Sequence, residues 1–166
     1  MSKKINLLET GNMLLAAQKI VLCCHVSPDG DTLGSALGLA RLLEQKGKEV
    51  TVFVDDDINK SLNFIPGIEK VQRPEAGVIV EADLFVVVDA SSFDRVGICN
   101  EVVKAPVLLN IDHHISNTEF ADYLYLDAEA AAAGEIMCDL FAVMGWEYDE
   151  AIAIDFYTAI TTDCGS

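Results

Sequence analysis

Positive charge is scarce in this sequence, and the patterns of export and membrane insertion are missing. Against 27 Asp+Glu there are only 11 Lys+Arg, a formal net charge of −16. Such a chain repels a long phosphate backbone unless metal ions or a separate basic surface compensate, which argues against binding long nucleic acid. No apolar run approaches the roughly 20 residues of a membrane span, so no membrane contact is expected. The residues after Lys3 and Lys4 are interrupted by Asn6, Glu9, Thr10 and Asn12, which breaks up any signal-peptide core. Five cysteines (Cys23, Cys24, Cys99, Cys138, Cys164) include no Cys-x-x-Cys pair. An odd count without a secretion signal argues for free thiols in a cytoplasmic protein, with Cys23, Cys24 and Cys138 as small buried hydrophobes. Gly34 and Gly38 lack the Gly-Lys-Ser/Thr ending of a phosphate-cradling loop; four apart on a helix, they are expected to pack closely on a sheet.

What is present is an ordinary globular composition. The chain has 166 residues, 51% of them apolar, and a mean hydropathy of +0.30, enough for one domain with a sizeable core. Leu7, Leu8, Leu14 and Leu15 fall at near-helical spacing ahead of an apolar stretch over 20–26 that reads as a buried strand. Leu33, Leu37, Ala40, Leu42 and Leu43 mark an amphipathic helix closed by Gly47, and 50–54 forms a second strand, so the unit is βαβ. Residues 55–74 are irregular around a Pro66-Gly67 turn, either a loop over the site or plain packing. Buried strands follow at 84–88 and 106–111, and a short one at 123–126. The spacing predicts an alanine-rich helix over 128–144 stopped by Gly145, and a last helix capped by Asp149 and running to about Thr161. This order predicts an α/β fold: a three-layer, open, mostly parallel sheet with helices on both faces.

All three histidines sit in two loops, His25-Val-Ser-Pro-Asp29-Gly-Asp31 and Asn110-Ile-Asp112-His113-His114, each leaving a short apolar run. Asp89 ends a third such run, and Asp163 follows the last helix. Ligands gather beyond the carboxyl ends of strands in open α/β sheets. His25, Asp29, Asp31, Asp89, His113 and Asp163 are therefore six candidate metal ligands. Oxygen and nitrogen donors without thiolate suit Mn²⁺ or Mg²⁺, with Co²⁺ or Fe²⁺ admissible. Two such ions can activate a water and clamp an in-line phosphoryl displacement, which points to a two-metal phosphoesterase. Taken singly, the loop carboxylates have a plainer reading: Asp29, Asp31 and Thr32 could simply cap the helix that follows. The joint occurrence of six ligand types in strand-end loops favours the metal centre.

Four segments in succession resemble the motifs of the DHH phosphoesterases: His25-Val-Ser-Pro-Asp29-Gly-Asp31; Val-Val-Asp89 with Asp94-Arg95-Val-Gly97; Asp112-His-His-Ile-Ser-Asn117; and Thr162-Asp163-x-Gly165-Ser166. With the alanine-rich Glu135 helix they most resemble the nanoRNase/pAp-phosphatase branch. The resemblance implies Mn²⁺-dependent hydrolysis of short oligoribonucleotides to mononucleotides, and removal of the 3′-phosphate from 3′-phosphoadenosine 5′-phosphate (pAp). It implies that His25 and Asp29 hold one ion, that Asp31, His113 and Asp163 hold the other, and that Asp89 bridges them. His114 and Arg95 would face the substrate phosphate, and Asp112 would orient a histidine, so that His114, Asp112 and Asp89 form the catalytic set. Cys164 stands where the family commonly has a hydroxyl residue. The family also carries a second, smaller substrate-binding domain with a glycine-rich, basic motif, and this chain is expected to be the catalytic domain alone, 1–166. Within the superfamily, an inorganic pyrophosphatase or a cyclic-dinucleotide phosphodiesterase is the alternative; outside it, a non-catalytic metal- or nucleotide-binding module. The oligomeric state is left open, a homodimer included.

Overall fold

The computed structural model describes residues 1–164. In chain order its elements are β1 (Lys3–Lys4), α1 (Leu7–Ala16), β2 (Lys19–Cys23), α2 (Gly30–Gln45), β3 (Glu49–Phe53), β4 (Val80–Glu81), β5 (Leu84–Val88), α3 (Cys99–Val102), β6 (Val103–Lys104), β7 (Leu108–Asp112), β8 (Tyr123–Leu126), α4 (Ala133–Met144) and α5 (Glu150–Asp163). Strand β5 is five apolar residues buried throughout, the pattern of a parallel strand covered on both faces. It lies inside a six-stranded sheet of order β1-β8-β7-β5-β2-β3 in which every pairing is parallel. The chain steps outward from β2 to β3, then returns to the other side of β2 to lay down β5, β7 and β8. The direction of winding thus reverses between β2 and β5, where such sheets open a crevice.

Side chains alternate across the sheet. Ile20, Leu22, Val86, Val88, Leu109 and Ile111 pack against α1, α2, α4 and α5, while Val21, Cys23, Phe85 and Val87 face the opposite layer. That second layer is thinner: a 3₁₀ turn at Phe93–Val96, the single turn of α3, and the two-stranded β4–β6 ribbon. The sheet is therefore covered by helical structure on both faces, but unequally. Phe141 of α4 meets Phe156 of α5 edge-on (5.0 Å) and the loop residue Trp146 edge-on (5.4 Å), a geometry worth about 0.5–1.5 kcal/mol per pair beyond area burial. Among the described residues no helix is long and apolar enough to cross a membrane.

Three expectations change: the neighbour of two glycines, the start of the alanine-rich helix and the burial of Cys138. Gly34 and Gly38 do not pack on the sheet. A Cβ on Gly34 would lie 2.3 Å from the Asp155 carbonyl oxygen, and one on Gly38 would lie 2.4 Å from the Phe156 ring, so the glycines open the α2–α5 seam. The alanine-rich helix begins at Ala133, because residues 128–132 spend their backbone groups elsewhere: the Ala130 carbonyl faces His113, and Ala131 N–H donates to Glu135 Oε2. Residues 55–74 are packing rather than a lid over the site, with Ile65 buried and Ile58, Leu62, Ile68 and Val71 against the main core. Cysteines 23, 24 and 99 are buried free thiols; Cys138 is half-buried, against expectation, and Cys164 exposed.

Candidate metal centre

Each predicted ligand is delivered by an element that ends at the same edge of the sheet. His25 follows β2, and Asp29 caps α2, its Oδ1 accepting from Thr32 N–H at 2.9 Å. The capping reading and the ligand reading of Asp29 are therefore compatible, since its carboxylate also lies 3.6 Å from His25 Nε2. Asp31 sits fully buried in the first turn of α2. Asp89 follows β5 with φ of 61°, a left-handed conformation that costs a non-glycine residue energy and that Asp tolerates better than most. His113 and His114 follow β7, and Asp163 is the last residue of α5.

Asp89 stands at the centre. Its Oδ2 is 3.5 Å from His25 Nε2 and its Oδ1 is 3.2 Å from His113 Nε2. His113 Nε2 is also 3.5 Å from Asp31 Oδ2 and 3.5 Å from Asp163 Oδ2. Donor atoms within 4.8 Å of one another form three overlapping groups: His25, Asp29 and Asp89; Asp31, His113 and Asp163; and Asp89, His113 and His114.

Two buried atoms at the middle of this cluster, Asp89 Oδ1 and His113 Nε2, have no hydrogen-bond partner among the described residues. A buried polar atom left unpaired costs about 1–3 kcal/mol, and these two face each other across 3.2 Å, an arrangement that a shared divalent cation would satisfy. The backbone supports that polarity. His25 Nδ1 lies 2.7 Å from the Val26 carbonyl and His113 Nδ1 lies 3.3 Å from the Ala130 carbonyl. Each carbonyl favours a proton on Nδ1 and turns the Nε2 lone pair toward the carboxylates. The residues present fit hard divalent cations of the Mn²⁺ and Mg²⁺ type.

The same crowding shifts the titrations. Burial opposes the charged form of His25, yet the carboxylates of Asp29 and Asp89 outweigh it and raise the imidazole to about 10. His113 is lifted to about 9, chiefly by Asp89. Asp31 is pushed up to about 7 by burial and by the charge of Asp89. Burial raises Asp163 as well. The centre is short of positive charge, and protons or metal ions must supply it.

His114 is handled differently. Its Nδ1 is 2.6 Å from Asp112 Oδ1 and only 3.8 Å from Asp89, so Nδ1 is engaged and Nε2 is left over. Arg95 reaches within 3.2 Å of His25 Nδ1, and no carboxylate among the described residues pairs with it. All nine predicted site residues, His25, Asp29, Asp31, Asp89, Arg95, Asp112, His113, His114 and Asp163, are thus brought to one edge. Gly165 and Ser166, which complete the fourth motif, lie outside the described residues.

Sequence reasoning missed three supports. Asp55, at the end of β3, accepts from Ile98 N–H at 2.8 Å and steadies the turn that carries Arg95, whose carbonyl in turn accepts from Val26 N–H at 2.7 Å. Asp31 accepts from Ala133 and Gly134 N–H, both at 2.9 Å, so one carboxylate also anchors the start of α4. Buried Asn110 and half-buried Asn117 form an amide pair between the Asp89 and Asp112 loops. The first was signalled by another carboxylate just past a strand end; the second depends on contacts about a hundred residues apart in sequence, and the third lies within one motif loop whose side-chain pairing the spacing alone does not show.

Comparison with known proteins bears on the family and the fold. Residues 19–163 match the DHH family, N-terminal domain. The chain is 35% identical over 150 residues to a bifunctional oligoribonuclease and PAP phosphatase of Thermus thermophilus, covering 89% of this chain and 44% of that protein. A protein of the same name from Mycoplasma pneumoniae is 31% identical over 168 residues, covering 97% of this chain and 51% of its own length. Among solved structures, an exopolyphosphatase-related protein from Bacteroides fragilis superposes with a TM-score of 0.88 at 28% identity, over 96% of this chain and 50% of that one. The chain spans about half the length of the relatives it matches. With its fold described and residues 19–163 matched, this chain belongs to the DHH family.

Proposed function

We propose that this chain is the catalytic part of a metal-dependent phosphoesterase that hydrolyses short oligoribonucleotides to mononucleotides and removes the 3′-phosphate of pAp. The observation that carries the reading is Asp89, one buried carboxylate whose two oxygens face two separate donor sets. On this reading His25 and Asp29 would hold one Mn²⁺, Asp31, His113 and Asp163 would hold the other, and Asp89 would be shared between them; Mg²⁺ or Co²⁺ could take the same places. When bound, the ions supply the charge that makes a water acidic and offset the charge of the phosphoryl oxygens. Asp112 fixes the His114 ring through Nδ1 and leaves Nε2 for a substrate phosphate. Arg95, which no carboxylate pairs with among the described residues, brings a guanidinium beside His25. In both reactions the leaving atom is a ribose 3′-oxygen, so a single alignment of phosphorus serves both substrates. The names of the relatives support the choice of substrates. We place the protein in the cytoplasm, in keeping with its free thiols.

The test is a panel of pAp, RNA dinucleotides, pyrophosphate and a cyclic dinucleotide, each incubated with Mn²⁺-loaded protein. Turnover of the first two is expected. Cleavage of pyrophosphate or the cyclic dinucleotide with the first two left intact would reassign the substrate class, and Mn²⁺ binding without turnover of any compound would make the chain a binding module.

A further inference from the structure

Asn110 lies fully buried in β7, directly opposite Val87 in the register of the sheet. Its side chain sits on the thinly covered face, where a buried amide is costly unless each polar atom finds a partner. Both donors are used: Nδ2 is 3.1 Å from the Val87 carbonyl and 3.3 Å from the Ala90 carbonyl. Those two carbonyls bracket Val88 and Asp89, and Asp89 is the residue held at φ of 61°. The acceptor is used too, because Oδ1 takes a hydrogen bond of 2.7 Å from Asn117 Nδ2. Asn117 gives its other proton to Asp112 Oδ2, also at 2.7 Å, while its Oδ1 accepts from Glu119 N–H. Asp112 Oδ1 then accepts from His114 Nδ1. Neither amide can be turned round: a flipped Asn110 would set an oxygen against two carbonyls, and a flipped Asn117 would set one against a carboxylate and a carbonyl.

We propose that Asn110 is a positioning residue. Its two N–H groups clamp the backbone on either side of Asp89 and hold the left-handed turn that aims the central carboxylate, and through Asn117 the same amide fixes the Asp112–His114 pair. The proposal rests on the reading of Asp89 as the shared metal ligand and of His114 as a substrate-facing group. It divides the work of the two asparagines. Asn110 governs both ends of the relay, whereas Asn117 governs the His114 end only, since the bonds from Asn110 to Val87 and Ala90 do not pass through it.

Three variants of this chain test it. Asn110→Asp keeps the shape and the acceptor toward Asn117 but removes both donors; Asn110→Ala removes the whole amide; Asn117→Ala cuts the relay at its second member. In the metal-free protein, amide exchange at Asp89, whose N–H donates to the Ile111 carbonyl at 2.9 Å, should accelerate in both Asn110 variants and stay unchanged in Asn117→Ala. Mn²⁺ affinity measured by calorimetry should fall about 10- to 100-fold in the Asn110 variants, the cost typical of losing a residue that orients a ligand. Asn117→Ala should keep wild-type Mn²⁺ affinity while kcat for pAp falls by about 10-fold or more. If Asn110→Ala does not fold, Asn110→Asp carries the test. Wild-type exchange at Asp89 and wild-type Mn²⁺ affinity in Asn110→Asp would overturn the proposal, as would loss of metal in Asn117→Ala. A wild-type protein that binds Mn²⁺ but cleaves neither pAp nor dinucleotide would overturn the functional reading instead, and the exchange and calorimetry arms would still judge the clamp.

Discussion

Replacing Gly97 by alanine should damage the centre from a residue that touches none of its ligands. Gly97 has φ of 59° and ψ of −140°, a region that side chains avoid, and holding a non-glycine residue in such a conformation costs about 1–3 kcal/mol. The added Cβ would also lie 2.2 Å from Asp55 Oδ2 and 2.7 Å from its Cβ, distances that force Asp55 to move. Movement of Asp55 removes the acceptor of Ile98 N–H, and an orphaned donor adds about 1–3 kcal/mol. The total is about 2–6 kcal/mol, a large part of the stability of an ordinary domain. At about 2–4 °C per kcal/mol for a chain of this size, Tm should fall by roughly 10 °C. The disturbed turn carries Arg95, whose carbonyl holds Val26 N–H beside His25, so KM for pAp should rise as well. Thermal unfolding with and without Mn²⁺, and steady-state kinetics well below Tm, check both halves. Adding Asp55→Ala relieves the clash but neither the backbone cost nor the orphaned Ile98, so the double variant should regain only part of the loss. A Gly97→Ala protein with wild-type Tm would show that the turn can relax, and the reasoning would fail.

Asp89→Ala should abolish turnover and lower the affinity for at least one ion, because two donor sets lose a common member; full two-ion occupancy by mass spectrometry would contradict this. His114→Ala should slow turnover while both ions stay bound, and metal loss in that variant would reassign His114 as a ligand. Asp155 gives a pH prediction remote from the centre. Its carboxylate is fully buried, and neither oxygen has a hydrogen-bond partner among the described residues. Burial raises it to about 8, with the Arg41 charge opposing and Asp149 adding. The folded state therefore keeps a proton that the unfolded chain loses near pH 4, so this group makes stability fall as pH rises from about 4 to about 8, by at most about 1.4 kcal/mol per unit. Urea unfolding of metal-free protein at several pH values should show that slope flattened in Asp155→Asn; parallel curves would refute it.

The strands and their loops were legible because a buried parallel strand is a continuous apolar run, and its end is marked wherever a carboxylate or imidazole interrupts it. Val21 to Cys24 before His25, Leu84 to Val88 before Asp89, and Val107 to Leu109 before the histidine pair all read this way. The cap at Asp149 was legible for a local reason, a side chain bonding a backbone N–H three residues on. What stayed hidden depends on partners far along the chain. Strand β1 is two lysines with no apolar pattern, and it is a strand only because β8 offers an open edge. Residues 128–132 have good helix formers, but His113 claims a carbonyl and Asp31 fixes where the helix starts. The glycines of α2 announced close packing but pointed to the sheet and not to α5 as the neighbour, and the asparagine relay joins the loops after β5 and β7, which only the folded sheet places side by side.

The seam between α2 and α5 has a consequence for the spacing of the candidate ligands. The two helices run in opposite directions, with Gly30 against Thr162 at the end near the ligands, Gly34 against Asp155 and Ala159, and Gly38 against Phe156. One helix starts with Asp29 and Asp31, and the other finishes with Asp163. The thickness of the seam therefore sets how far apart carboxylates from the two helices stand. A methyl group at Gly34, about 6 Å along the axis from Gly30, would meet backbone and push α5 outward, carrying Asp163 with it. The spacing of the candidate ligands is thus gauged in part by residues that lie outside the cluster.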